Sequence, residues 1–242
     1  LPYSAMDMVD TERYARHISL PDVGITGQKL IDDSRVLVVG AGGLGSPVLM
    51  YLAAAGIGHI GVVDDDAVDL SNLQRQIIHS ESAIGRPKVE SAKERINSIN
   101  SAIEVTTWNA RLSPDNAEEI LCDWDIVIDG TDNIPTRYLV DDVCNLLGIP
   151  WIYGSIYRFE GQVSLFNYHN GPCYRDLFPE PPPLNTIPSC AEGGVFGVLP
   201  GIIGSIQATE AVKIILGRGQ SLSGKLLLLS LIHISEPTRP IH

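Results

Sequence analysis

Residues 35–66 read RVLVVGAGGLGSPVLMYLAAAGIGHIGVVDDD, and the order of residue types in that stretch decides the fold. Arg35 to Val39 is a short β-branched apolar run, which reads as a strand. Gly40-Ala41-Gly42-Gly43-Leu44-Gly45 follows at once, residues 46–55 read as a helix, and a second apolar run over 57–63 ends in Asp64-Asp65-Asp66. Gly40 permits a tight turn out of the strand, Gly42 lets the backbone approach a phosphate, and Gly45 lets the helix pack close to the strand. Free N–H groups and the dipole at the helix start favour an anion there. Asp64 lies 19 residues after Gly45, where a carboxylate accepts from ribose hydroxyls. The glycine pattern alone is weak; with strand, helix, strand and a distal Asp around it, it points to nucleotide binding.

Working outward, short helices are expected around residues 13–17, with Asp10 as N-cap, and over 24–33. Residues 67–76 form a polar, defined loop, and Gly85-Arg86-Pro87-Lys88 opens a helix to about Asn97. Strands are expected over 104–108, 125–129 and 151–155, with helices over 114–122 and 135–147 between them. The alternating run 161–168 reads as an antiparallel strand, 197–216 as a glycine-studded apolar helix, and 225–229 as a last strand. The expected fold is α/β: a doubly wound, Rossmann-like, mostly parallel sheet with an antiparallel extension. Residues 171–194 hold six prolines and are expected to form no regular element. The tail SLIHISEPTRPIH, 230–242, continues no pattern and is expected to be disordered, leaving 1–229 as one nucleotide-binding domain.

The 242 residues suffice for a sizeable core, and 44% hydrophobic with 19% charged residues suits a globular domain. A net charge of −12 argues against nucleic acid or an anionic membrane as partner. Four widely spaced cysteines suggest a reducing, cytoplasmic setting. The apolar stretch 195–206 is broken by Gly197, Pro200, Gly201 and Gly204 and reads as too short to cross a bilayer.

Asp64 and Asp132 each follow a parallel strand, so they are expected to face one crevice beyond the strands' carboxyl ends. Asn72, Arg75 and Lys88 follow the Asp64 strand and can reach the same place. Two cations beside a glycine turn neutralise phosphates, and a nearby carboxylate can hold Mg²⁺. The set suits phosphoryl or nucleotidyl chemistry, in which positioning and charge stabilisation do most of the work.

At this point the residues resemble the MoeB/ThiF family of adenylyltransferases, kin of the ubiquitin-activating enzymes. The resemblance lies in Gly40 to Gly45, the run Ser71-Asn72-Leu73-Gln74-Arg75-Gln76, Gly85 with Lys88, Thr131-Asp132-Asn133, Arg13-Tyr14 with Arg16, Glu160-Gly161-Gln162, and Cys190-Ala191-Glu192-Gly193-Gly194. It implies ATP·Mg²⁺ and a small ubiquitin-like sulfur carrier as substrates. The carrier's C-terminal glycine carboxylate attacks the α-phosphate, pyrophosphate leaves, and an acyl-adenylate results. It further implies that Gly43 and Asp64 bind the nucleotide along the loop Ser71, Asn72, Leu73, Gln74 and Arg75; that Asn72, Arg75 and Lys88 contact phosphates; and that Asp132, beside Asn133, holds Mg²⁺. Arg16 would reach the phosphates of a second subunit, which requires a homodimer.

The Pro-rich segment is most similar to members that also transfer sulfur, in which the position of Cys190 can take the carrier as a thioester or persulfide. The family's zinc pairs are not kept: Cys173-Tyr174-Arg175 is followed by Asp176, so zinc is expected to be absent. Two other readings stand beside this one. An NAD-dependent oxidoreductase would use the glycine turn but leave Arg75, Lys88 and Asp132 idle. A non-catalytic carrier-binding module would bind carrier without turning over ATP.

Overall fold

Seven strands form one sheet in the order β3-β2-β1-β4-β5-β6-β7 in this computed structural model, which describes residues 11–182 and 194–233. The strands are β1 (Arg35–Val39), β2 (His59–Val63), β3 (Glu104–Trp108), β4 (Ile126–Asp129), β5 (Trp151–Tyr157), β6 (Glu160–Phe166) and β7 (Leu227–Ser230). β3, β2, β1, β4 and β5 run parallel. β6 turns back on β5, and β7 turns back on β6. This is the doubly wound α/β sheet with an antiparallel extension that the residue patterns predict.

The alternation of β1 shows why helices cover both faces. Val36 and Val38 enter one core with α3 (Gly45–Ala55), α4 (Lys88–Ile99) and the long C-terminal helix; Leu37 and Val39 enter the other with α5 (Ala117–Leu121) and α6 (Ile134–Leu147). A central strand buried on both faces must be apolar on both. Helices α1 (Ala15–Ile18) and α2 (Gly24–Asp32) lead in, and α7 (Tyr174–Leu177) and α8 (Leu199–Leu216) complete the helices used below.

The chain winds outward from β1 to β2 and β3, then returns across β1 to β4, so the switch point lies between β1 and β4. The two strand ends touch there, backbone to backbone. Gly40, at φ +100°, sits where an added Cβ would stand 2.8 Å from the Gly130 carbonyl oxygen. At Gly45 an added Cβ would stand 1.9 Å from the Gly40 carbonyl oxygen, so the start of α3 can approach the strand end only as glycine.

Three expectations need correction. Residues 171–194 are not wholly irregular: Tyr174–Leu177 is a helical turn, because Asp176 accepts from the Cys173 backbone N–H at 2.8 Å and Tyr138 and Tyr153 pack on the Tyr174 ring. The tail is structured at its start. Ser230 closes β7, and Leu231 N–H donates to the Phe159 carbonyl, since the free edge of β6 offers backbone groups to pair. The apolar helix reaches Leu216 and has 18 residues, long and apolar enough by composition to cross a bilayer. In this fold it lies on the sheet instead, with Leu199 and Ile203 buried and Gln207 donating to the Asp129 carbonyl at 2.7 Å.

Candidate active site

A cavity of about 1300 Å³ opens beyond the carboxyl ends of β1, β2, β4 and β5. Its floor is the glycine turn, with Gly40, Gly42 and Gly43 among the lining residues. The Asp64 carboxylate holds that turn. One oxygen accepts from the Ala41 N–H at 2.8 Å, the other from the Asp66 N–H at 2.9 Å. Burial pushes the Asp64 carboxyl up from its ordinary value, with Lys88 and the two amides pulling the other way.

The carbonyl of the same residue is held from the other side. His79 Nε2 lies 2.9 Å from the Ala41 oxygen, and its Nδ1 lies 2.9 Å from the Ser91 hydroxyl on α4. A carbonyl can only accept, so Nε2 carries the proton and Nδ1 accepts from Ser91. Burial holds this imidazole below the usual histidine range, which keeps it neutral. Ala41 is thus held at both its N–H and its C=O, from β2 on one side and from the loop before α4 on the other.

Lys88 is the first residue of α4 and is buried, its Nζ 2.6 Å from Asp66 Oδ2. Arg75 lines the cavity from the preceding loop and donates to the Ser71 carbonyl at 3.1 Å. Asp132 lines the same cavity from the segment that follows β4, exposed and with no hydrogen bond among the described residues. Such a free carboxylate fits Mg²⁺, which binds through one or two carboxylates and completes its shell with phosphate oxygens and water. Asn133 also lines the cavity, but its side-chain oxygen is committed to capping α6, accepting from Thr136 N–H at 3.0 Å.

Gly43, Asp64, Arg75, Lys88, Asp132 and Asn133 therefore meet in one place, as expected from their positions after parallel strands. Ser71, Asn72, Leu73 and Gln74 do not line the cavity. The reason is local: Asp69 and Asn72 form a capping box, in which Asn72 Oδ1 accepts from the Asp69 N–H at 3.1 Å and Asp69 accepts from the Ser71 N–H at 2.8 Å. Asn72 shapes the loop that presents Arg75, rather than facing the cavity itself.

Arg16 is exposed on α1 and does not line the cavity. The α1 segment docks through Tyr14, which sits against Gly56 at the end of α3 remote from the glycine turn and accepts from Asn100 Nδ2 at 2.8 Å. Eleven helical residues separate the two ends, roughly 16 Å. Within one chain the α1 segment therefore sits at the end of α3 remote from the glycine turn. Cys190 lies outside the described residues, as does Asp10. Cys173 heads α7, and Asp176, in the position where a second cysteine would stand, is used as a backbone cap.

Sequence reasoning missed Arg137. Its buried guanidinium donates to Asp129 Oδ2 at 3.1 Å, to the Thr131 carbonyl at 3.0 Å and to the Gly154 carbonyl at 3.3 Å, and it lies over the Tyr153 ring. Thr131 gives Asp129 two further donors, from N–H at 2.8 Å and hydroxyl at 2.6 Å. Burial pushes the Asp129 carboxyl up, and Arg137 and Thr131 oppose that shift. Two signals were available. Asp129 ends an otherwise apolar buried strand, and a buried carboxylate needs a partner. Arg137 sits near the start of α6, where the helix dipole disfavours a cation, so something else must hold it there.

Comparison with known proteins agrees with this arrangement. The profile of the ThiF family matches residues 14–242. A probable adenylyltransferase/sulfurtransferase MoeZ of Mycobacterium tuberculosis is 50% identical over 242 residues, covering 98% of this chain and 62% of its own length, so the chain spans under two thirds of that relative. A sulfur carrier protein adenylyltransferase of Thermus thermophilus is 49% identical, covering 93% of this chain and 85% of that protein. Among solved structures, Escherichia coli MccB superposes with a TM-score of 0.82 at 20% identity, covering 94% of this chain and 68% of that one, which establishes likeness of fold.

Proposed function

Because the chain belongs to the ThiF family, we propose that it adenylylates the C-terminal glycine of a small ubiquitin-like sulfur carrier, using ATP·Mg²⁺. One observation carries the reading: Arg75, Lys88 and Asp132, contributed by three separate segments, line a single cavity together with the glycine turn and Asp64. A solitary dinucleotide turn has no use for that set.

The residues divide the work by position. The turn's free N–H groups and the start of α3 attract the phosphates. Asp64, at the end of β2, stands where a ribose hydroxyl can donate to it. Arg75 and Lys88 offset the charge that develops on the phosphoryl oxygens, Lys88 by exchanging its contact with Asp66 for one with phosphate. Mg²⁺, when bound at Asp132, supplies further neutralisation of the phosphates. The carrier's terminal carboxylate oxygen bonds to the α-phosphorus, the bond to the bridging oxygen breaks, and its electron pair leaves with pyrophosphate. The Thermus relative, named as a sulfur carrier protein adenylyltransferase, supports this choice of acceptor. We also place Arg16 in trans, across a homodimer; its position outside the lining of its own cavity supports that reading. Transfer of sulfur through Cys190 is a further stage of the same proposal and is separable from adenylation.

The test is ATP–pyrophosphate exchange with the purified chain and carriers ending in Gly-Gly. Exchange that needs both carrier and Mg²⁺, and is lost in Asp132→Asn, supports the reading. Tight carrier binding with no exchange for any such carrier would refute it in favour of a non-catalytic binding module.

A further inference from the structure

The Asp132 carboxylate has no hydrogen bond of its own among the described residues, so the backbone that carries it decides where it stands. That backbone leaves the sheet through a split. β4 and β5 pair at Val127 with Trp151 and at Ile128 with Ile152, and the ladder stops there. β5 runs on to Tyr157, held by β6 along its whole length, while β4 ends at Asp129. Buried side chains bridge the gap from opposite faces of the sheet. From α8, Gln207 Nε2 donates to the Asp129 carbonyl at 2.7 Å and to the Ile152 carbonyl at 3.3 Å. From α6, Arg137 Nη2 donates to the Thr131 carbonyl at 3.0 Å and to the Gly154 carbonyl at 3.3 Å. Each donor ties a carbonyl just before Asp132 to one on β5.

Gln207 is fully buried and is not among the residues that line the cavity. Its Oε1 is buried with no partner. An acceptor left bare in the interior disfavours folding. Turning the amide over would set an oxygen against two carbonyl oxygens, so the donor end must face the split. The fit is close: a Cβ on Gly154 would stand 2.3 Å from Gln207 Nε2. A leucine or methionine would fill the same space with no bare acceptor. What the amide alone supplies is the tie across the split. We infer that Gln207 is a positioning residue for Asp132: by joining the end of β4 to β5 it sets where the Asp132 carboxylate meets Mg²⁺ and phosphate. Groups that orient a metal's ligands from behind typically contribute about 10–100-fold in metal affinity or activity. The inference rests on the adenylation reading for the metal and on the geometry of the split for the tie.

Gln207→Met removes the tie at nearly constant volume. Calorimetry of the full chain with ATP should then show affinity about 10-fold lower in the presence of Mg²⁺ and unchanged in its absence. The Mg²⁺ concentration that half-saturates pyrophosphate exchange should rise by a similar factor. In an Asp132→Asn background, Gln207→Met should have no further effect on ATP affinity, because the group it positions is gone. Gly154→Ala pushes the amide aside from outside the cavity lining; it should reproduce the Mg²⁺-dependent loss and carries the same test if Gln207→Met does not fold. A lower melting temperature with unchanged affinity for ATP in Mg²⁺ would overturn the inference, showing a role in stability alone. Equal losses with and without Mg²⁺, or losses that add to that of Asp132→Asn, would overturn it as well. Affinity is measured without carrier, so a chain that binds ATP and Mg²⁺ through Asp132 but never exchanges pyrophosphate refutes adenylation while the affinities still decide the role of Gln207.

Discussion

Two glycines three positions apart should respond in opposite ways to one added methyl group. At Gly45 a Cβ would lie 1.9 Å from the Gly40 carbonyl oxygen, where real contacts are essentially never under 3.0 Å. The strand end and the helix start must therefore part by about 1 Å, the difference between those distances. Overpacking of this kind costs roughly 1–3 kcal/mol or more, and the helical preference of Ala over Gly returns about 1. A net loss near 2 kcal/mol in a chain of this length lowers Tm by about 4–8 °C. A displacement of that size in the turn also costs on the order of 100-fold in turnover. At Gly42 the same methyl would meet only Gln76 Nε2, at 3.7 Å, an ordinary contact. Gly42→Ala should melt with the parent chain but lose at least about 10-fold in ATP affinity, because the methyl stands where a phosphate must approach the backbone. Thermal denaturation and ATP calorimetry on the two variants decide the matter. If Gly42→Ala binds ATP as the parent does, the turn is not a phosphate site. If Gly45→Ala melts unchanged, the close packing of α3 on β1 does not constrain this position.

Mixing Arg16→Ala chains with Lys88→Ala chains, each inactive alone, should restore up to about a quarter of parental exchange, since half of random dimers are mixed and each carries one intact site; no recovery after subunit exchange would place Arg16 outside the reaction. Burial holds His79 and His59 below the usual histidine range, so the unfolded chain takes up protons that the fold refuses as pH falls through about 6.5, and stability should drop over that interval. His79→Gln, which can still donate to Ala41, should flatten the slope of unfolding free energy against pH; an unaltered slope would show that His79 does not titrate as argued. Arg137→Met leaves the buried Asp129 carboxylate without its cation and should cost about 3–5 kcal/mol. Adding Asp129→Asn should recover much of that loss, and a double-mutant cycle by chemical denaturation measures the coupling.

What the sequence disclosed and what it hid follow from the range of the interactions. The strands β1 and β2, the glycine turn and the helix after it are local patterns, and each residue there is dictated by its chain neighbours. The convergence of Asp64 and Asp132 could be read because parallel strands end on one side of a sheet, whatever lies between them. The capping box of Asp69 and Asn72 was also local, but Asn72 has two uses, loop cap or ligand, and its type does not choose between them. The clamp of His79 on Ala41 spans 38 positions and depends on how the loop before α4 folds back over the turn. No periodicity announces it. The start of the tail escaped notice for a related reason: Ser230 and Leu231 are held by the edge of β6 and by Phe159, not by any pattern of their own.

The charge around the cavity argues for help from outside the single chain. Five carboxylates (Asp64, Asp65, Asp66, Asp132, Glu180) and five cations (Arg75, Lys88, Arg111, Arg137, Arg175) line it. Three of the cations are already paired: Lys88 with Asp66, Arg137 with Asp129, and Arg175 with Asp142. Arg75 and Arg111 have no ion pair among the described residues. In a protein of net charge −12, two uncommitted arginines against four carboxylates other than Asp66 give a triphosphate no net attraction. Binding then needs positive charge brought in, and the proposal supplies it in two places: a divalent ion at Asp132 and the partner subunit's Arg16. It also asks Lys88 to turn from Asp66 toward phosphate. That exchange is open on one side only, because the Lys88 side chain is 6% exposed and the Asp66 side chain 66%. Water can take over the carboxylate as the buried ammonium turns inward, so the pair holds the lysine in place without trapping it.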